Sequence, residues 1–473
     1  MLLAGAVEGF YGQQWSHKDR LNFIEFLHKY NFNTYIYAPK GDPFHRKKWY
    51  KLYPEKYLRK IYEIVKVCKD REIFFIYALS PGLSIRYSSN EDFNKLINKY
   101  KQILNLDIEY VGLFLDDIPL TFKYLEDKNR FNSLGNAHNY IARKIFLELK
   151  KINPKIKLIL CPTIYWGVFP RKYLIELSNN LPEEIIIMWT GKYVVSPTIT
   201  EKDAINFGKI IKRKPFLWDN YPVNDYNRGR LHLGPFQGRS AKLIKHLSGY
   251  VANPMNEVEA SKIPLITLSE YLKDPQNYNP EKAWRKAIKR ITNKSNRVFI
   301  EFAEHSKMSP LNFVESKKLM EDINNVCREG DAALININRI ERLMYRLSYL
   351  PKDIEKSLKN KNSKLLKEIK PWFPKLIFLS RLGLKTIQLL KTSDINSCKS
   401  IVKEISFLMK KVKKDKHQLM GEYILRSTFI CGSDRKIFES LIFRFLNGIF
   451  SWKIYTLGKN FDKILKEQGI GLN

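Results

Sequence analysis

At 473 residues, with 44% hydrophobic and 13% aromatic side chains, the chain is too long for one ordinary domain and too apolar to be disordered, so two or three packed units are expected. Its formal charge of +34 raises nucleic acid or an anionic surface as a partner, but the excess is mostly Lys dispersed over helix faces in both halves, so nucleic acid is not the expected partner. No apolar stretch reaches the ~18 uninterrupted residues of a membrane span, since Arg444 and Lys453 interrupt the closest, Ile437 to Tyr455. Five scattered cysteines (Cys68, Cys161, Cys327, Cys398, Cys431) lack metal-ligand spacing, and the opening MLLAGAVEGFYG has no basic region before its apolar run. Both features fit a reducing, cytoplasmic compartment.

From the N-terminus, apolar β-rich runs begin near Leu2, Thr34, Ile73, Val111, Leu158, Ile185, Phe216 and Tyr250. Helical patterns lie between most of them. Ser16 to Tyr30 opens with Ser16 and Asp19 in a capping-box arrangement, and Tyr57 to Cys68, Asp92 to Leu104 and Ala137 to Leu149 share the 3.6-residue apolar period. Eight strands alternating with helices predict an α/β fold, a (β/α)8 TIM barrel over residues 1–275, with an open doubly wound sheet as the alternative.

Residues 276–473 change character, with few strand-like runs and long amphipathic helices, so an all-α helical bundle domain is expected to follow the barrel. Candidates are Pro280 to His305, Asn312 to Cys327, Ala332 to Tyr349, Ile354 to Ile369, Leu376 to Leu390, Ile401 to Val412 and Ile437 to Tyr455, punctuated by Pro371-Trp372-Phe373-Pro374. Apolar helix faces serve an internal core or a homodimer interface, and the sequence leaves both open.

The fourth apolar run, YVGLFLDDIP, ends abruptly in Asp116 and Asp117. A run uncharged on both faces suits a parallel sheet, and the C-terminal strand ends are where such sheets place their chemistry. Adjacent Asp residues also cap loops, so the pair alone decides little. Polar and aromatic residues recur at the other strand ends, however, in EGFYG, YAPKGD, CPTIYWG, MWTGK, LWDNYPVND and ANPMN. Aromatic faces beside carboxylates and amides suit a carbohydrate-sized cleft. Two rival readings are a Mg²⁺ phosphoryl-transfer site on the two Asp residues and a non-catalytic basic binding module.

The order of these blocks resembles the catalytic domain of glycoside hydrolase family 84, the O-GlcNAcase and bacterial β-N-acetylglucosaminidase family, also labelled hyaluronidases. VEGFYG (Val7 to Gly12), NTYIYAPK (Asn33 to Lys40), YALSPG (Tyr77 to Gly82), LFLDDI, LCPTIY, WTG, WDN, NDY, RLHLGPFQGRS and ANP carry the likeness over about 250 residues. The resemblance implies retaining hydrolysis of β-linked GlcNAc in which the substrate's acetamido oxygen attacks C1 to give an oxazoline, without cofactor or metal. It implies that Asp116 holds the acetamido N–H and that Asp117 is the general acid and then base. Tyr165 would contact the acetamido carbonyl, Trp218 would floor the pocket, and Lys40, Asn220, Asp225 and Asn253 would bind sugar hydroxyls and the reacting water. Gly9 would let the backbone approach the sugar.

The implied partner is a GlcNAc-bearing glycoprotein or glycan, with a hyaluronidase-type endo action as the alternative. Two departures stand out: Gly41 precedes Asp42 where the family carries a second acidic residue, and Ile164 replaces the usual acidic residue before the tyrosine. Consecutive strand residues point to opposite faces, so both Asp side chains serve one cleft only if the chain has left strand geometry at Asp116.

Overall fold

The computed structural model describes residues 2–292, 297–329, 334–420 and 441–470. Eight parallel strands, β1 (Leu3–Glu8), β2 (Thr34–Tyr37), β3 (Phe74–Leu79), β4 (Tyr110–Phe114), β5 (Lys157–Cys161), β6 (Ile186–Trp189), β7 (Phe216–Asp219) and β8 (Gly249–Ala252), close in sequence order into the expected barrel, with β8 beside β1. Inward-facing Val7, Ile36, Ile76, Phe114, Ile159, Met188, Phe216 and Val251 fill it as a packed core. Outward-facing polar side chains are paired. Buried Glu8 accepts two hydrogen bonds from Arg20 (2.8 and 2.7 Å) and one from the Tyr35 hydroxyl (2.5 Å), which compensates its charge away from water.

Around the barrel lie α1 (His17–Lys29), α2 (Glu55–Asp70), α3 (Asn90–Leu104), α4 (Leu125–Arg130), α5 (Leu134–Ile152), α6 (Lys172–Ser178), α7 (Glu201–Ile211) and α8 (Val258–Lys273). Ser16 and Asp19 form the expected capping box at the start of α1. The crossover from β7 to β8 departs from strict alternation. It holds only a short 3-10 turn, Leu243–His246, because Pro222, Gly229, Gly234, Pro235 and Gly238 interrupt helical propensity along it.

The chain forms two compact units, one of Met1–Asp225 with Pro235–Ala283, the other of Tyr226–Gly234 with Trp284–Asn473. The second is helical, with α9 (Pro280–Thr292) leading into α10 (Arg297–Glu304), α11 (Lys317–Glu329), α12 (Leu334–Leu358), α13 (Ser363–Ile369), α14 (Phe373–Lys391), α15 (Ile395–Lys414), α16 (Leu441–Leu457) and α17 (Lys459–Glu467). Buried Met344, Leu347, Leu350 and Ile354 run along α12, which packs on α14, and Gly383 of α14 leaves the space that Met344 occupies. One helix spans what the pattern divides into two, since α12 continues through Pro351, whose ring costs a backbone donor without stopping the packed apolar face. Of the expected helices, residues 293–296, 332–333 and 437–440 lie outside the described residues, as does Cys431.

Tyr226–Gly234, which comes from the β7–β8 connection, is tied within the second unit. Its Arg230 pairs with Glu315 at 3.0 Å in a buried setting, the Gly229 carbonyl accepts from Trp372 Nε1 (2.8 Å) and from the Gln418 N–H (2.7 Å), and the Leu233 carbonyl accepts from Trp284 Nε1 (2.6 Å). No described helix is long and apolar enough to cross a membrane.

Candidate active site

The chain leaves strand geometry where the two carboxylates require it. Regular β4 ends at Phe114, and Leu115 makes one more ladder bond, from its N–H to the Cys161 carbonyl (2.9 Å). Asp117 then adopts a left-handed backbone with φ +53°. Asp tolerates that region better than most residues, and the Asp117 carbonyl is held by Arg46 Nη2 at 2.9 Å. This turn removes the alternation that would send neighbouring side chains to opposite faces.

The two carboxylates meet different surroundings. Asp116 is buried, and its Oδ2 accepts from the buried Lys40 ammonium, while Oδ1 is buried with no hydrogen-bond partner. Burial pushes the Asp116 carboxyl upward, but Lys40, aided by Arg46 and His45, outweighs that and holds it below the usual carboxylate range. Asp117 is exposed and accepts from the Tyr11 hydroxyl at Oδ2 (2.8 Å) and from the Tyr165 hydroxyl at Oδ1 (2.9 Å). Burial and the neighbouring Asp117 raise both phenols, so they stay protonated donors. Lys40 also lies 5.6 Å from the Tyr11 ring and 5.9 Å from the Trp218 ring, which joins the two carboxylate environments into one cluster.

The remaining expected residues gather at the same end. Trp218, from β7, is buried at the top of the barrel core 5.5 Å from Phe114, and its indole N–H has no partner. Gly9 is required by that ring, because a Cβ there would lie 2.4 Å from Trp218 Cζ2. Close packing against Trp218 by itself requires a glycine at this position. The Gly9 N–H donates to Asn253 Oδ1 (3.3 Å), Asn253 Nδ2 donates to Asn220 Oδ1 (3.0 Å), and Asn220 Nδ2 donates to the Val194 carbonyl (2.8 Å). Asp225 Oδ2 accepts the Tyr11 N–H at 2.7 Å. These bonds join the ends of β1, β7 and β8 through side chains where the backbone ladder has stopped. Lys40, expected on a sugar hydroxyl, directs its ammonium at Asp116.

Three participants are absent from the reading of the sequence. Tyr11 sits within EGFYG and touches Asp117; Arg46 bridges the Asp117 carbonyl and Ser80 Oγ (3.3 Å); and His45 Nδ1–H donates to the Ala78 carbonyl (2.8 Å) while its buried Nε2 has no partner. Burial, reinforced by Lys40, lowers His45 to about 4, so the ring is neutral near pH 7. A His-Arg pair five residues beyond YAPK in a loop at a strand end was the available signal. Asp42, next to the unusual Gly41, accepts from the Tyr37 and Tyr53 hydroxyls (2.9 and 2.8 Å) and the Phe44 N–H (2.8 Å), a loop-bracing role, and a Cβ on Gly41 would meet Gln14 Cγ at 2.5 Å. Among the described residues no group of three or more His, Cys, Asp or Glu could hold a metal ion.

Comparison with known proteins places this geometry in context. The β-N-acetylglucosaminidase family pattern matches residues 4–304. Protein O-GlcNAcase of Rattus norvegicus and that of Mus musculus are each 36% identical to this chain over 281 residues, which is 58% of this chain and 30% of theirs. The chain therefore matches under a third of the length of these relatives. A mutant O-GlcNAc hydrolase of Thermobaculum terrenum superposes with a TM-score of 0.85 at 29% identity, covering 96% of each chain.

Proposed function

The chain is a member of the β-N-acetylglucosaminidase family, and from that premise we propose that it releases terminal β-linked GlcNAc from a glycoprotein or glycan with retention, using the substrate's acetamido group as nucleophile. The observation that carries this reading is the divergence of two adjacent carboxylates, one sunk beside an ammonium with a free buried oxygen, the other exposed under two tyrosine hydroxyls. An ordinary retaining glycosidase places a nucleophilic carboxylate and an acid/base about 5 Å apart across the sugar. Asp116 and Asp117 are consecutive residues and cannot readily flank one sugar in that way.

The unpartnered buried oxygen of Asp116 suits the acetamido N–H. Asp116 Oδ1 accepts that hydrogen and stabilises the positive charge that develops as the acetamido oxygen closes on C1 and forms an oxazoline. Asp117 gives its proton to the departing oxygen, then takes one from the water that opens the oxazoline. Tyr165 steers the acetamido carbonyl, Trp218 floors the pocket, and Asn220, Asp225 and Asn253 read the hydroxyls once substrate replaces part of their present bonding. Lys40 keeps Asp116 charged.

A series of 4-nitrophenyl β-GlcNAc analogues with mono-, di- and trifluorinated N-acyl groups tests this. Fluorine weakens the carbonyl nucleophile, so kcat/KM should fall stepwise along the series, without added metal and after chelation. A flat series would reassign the attack to a protein nucleophile.

A further inference from the structure

Regular β4 ends just before the carboxylate pair, so something other than the sheet must hold Leu115, the residue that delivers Asp116 and Asp117 into their turn. Its N–H reaches the Cys161 carbonyl of β5, as the ladder would continue. Its carbonyl instead accepts from a side chain, the hydroxyl of Thr163, at 2.6 Å in a buried setting. Thr163 is itself fixed from behind. Its N–H donates to the hydroxyl of Tyr173 on α6 (2.9 Å), Tyr173 bonds Nδ1 of His138 on α5 (2.8 Å), and His138 Nε2 bonds the hydroxyl of Tyr87 beyond β3 (2.8 Å).

Every ring in this relay is buried. Burial lowers His138 to about 3, so the imidazole is neutral and offers one donor and one acceptor nitrogen, which lets it bridge two hydroxyls in either tautomer. The helices that carry the relay are clamped together. Ser133 Oγ donates to Glu176 Oε2 (2.6 Å), Asn139 Nδ2 donates to the Leu177 and Asn179 carbonyls (2.7 and 2.9 Å), and Gly135 lets α5 approach the Tyr173 carbonyl so closely that a Cβ would lie 2.7 Å from it.

We propose that Thr163 is a positioning residue that sets the Asp116–Asp117 turn through the Leu115 carbonyl, with Tyr173 and His138 holding it in register from the helix layer. The inference rests on the functional reading above for its kinetic consequence, although its structural claim does not. The physical reason is that a carbonyl leaving a strand end must find another donor, and a buried orphan would let the turn move. Displacement of reacting groups by about 1 Å costs on the order of 100-fold in rate.

Thr163→Val keeps the side-chain shape and removes the hydroxyl, while Thr163→Ser keeps the hydroxyl. On 4-nitrophenyl β-GlcNAc the Val variant should lose roughly 10- to 100-fold in kcat with little change in KM, and the Ser variant should recover most of it. Tyr173→Phe should shift kcat in the same direction by less. Amide hydrogen exchange over residues 115–118 should quicken in Thr163→Val and not in Thr163→Ser. Wild-type kcat in the Val variant, a loss that Ser shares equally, or exchange that rises evenly over the whole barrel would each overturn the positioning role. If the wild-type protein fails to turn over the substrate, the functional reading falls, and the exchange comparison alone decides the relay.

Discussion

At the N-terminal end of the barrel strands, Asn33, Lys69, Arg71, Phe74, Asp107 and Tyr110 help to line a cavity of about 770 Å³, while the carboxylate cluster sits at the C-terminal end of the same strands. The cavity is large enough for a small-molecule ligand, yet the side chains of Asn33, Lys69, Arg71 and Asp107 already have hydrogen-bond or ion-pair partners. Asn33 accepts from the Ala4 N–H and the Thr34 hydroxyl (2.8 Å each) and donates to the Leu2 carbonyl (2.9 Å), Lys69 pairs with Asp107 (2.6 Å), and Arg71 pairs with Glu25 (2.8 Å). The C-terminal end is the reverse, holding Asp116 Oδ1, His45 Nε2 and Trp218 Nε1 buried without partners, whereas no residue lining the other cavity carries such an atom. Left-handed backbone occurs at both ends. At Asn31, Glu72 and Asp107 it terminates helices, and at Asp117 it presents a carboxylate. A cavity of that volume does not by itself mark a site; unmet buried hydrogen-bonding capacity, which is costly unless a ligand uses it, points to the carboxylate end.

The strongest way to break this comparison is to remove the carboxylates one at a time. Asp116→Ala should depress kcat/KM for aryl β-GlcNAc and for poorly leaving natural aglycones alike, because in the proposed mechanism the acetamido attack needs Asp116 whatever departs. Asp117→Ala should spare good leaving groups and cost roughly 10²–10⁴-fold on poor ones, the usual worth of a general acid. Equal losses for both variants on every leaving group would erase the distinction between the two environments.

A smaller effect sharpens the comparison through pH. His45 is buried at the C-terminal end with its affinity for a proton lowered to about 4, against an ordinary value of 6.5. Between these values the unfolded chain binds a proton that the folded chain refuses, so stability contributed by neutral His45 is full above about pH 6.5 and declines as pH falls toward 4, at up to about 1.4 kcal/mol per pH unit. His45→Gln should flatten that part of the urea-unfolding free energy against pH. An unchanged slope would show that Nε2 is not the unsatisfied group inferred here.

The smallest expected effect lies at the opposite end. Asp107→Asn removes an exposed ion pair with Lys69, and the charges it separates are screened by water. Activity should match wild type and the unfolding midpoint should barely move. A marked fall in kcat/KM would make the N-terminal cavity part of the functional apparatus.

Much of this was legible in the amino-acid order. The eight strand starts fall within one residue of the onset of each apolar run, because inward and outward faces of a barrel strand are both buried and leave an unbroken hydrophobic signal. The capping box at Ser16 and the carboxylates ending β4 are local features, and local features can be read along one chain. The helix through Pro351 could not be, since the packed face around Met344 and Leu347 overrides a breaker whose cost is visible only in isolation.

By itself, then, the sequence determined which residues stand at the strand ends and in what order, because hydrophobic period and turn chemistry act between near neighbours. Only the tertiary structure decided what each does there. Lys40 reaches Asp116 across 76 positions, Tyr11 reaches Asp117 across 106, and Gly9 is a glycine because Trp218 fills the space of its side chain. Barrel closure brings such residues together, and whether a buried oxygen is then paired, as at Asp116 Oδ2, or left open, as at Oδ1, depends on distances that no spacing in the chain encodes.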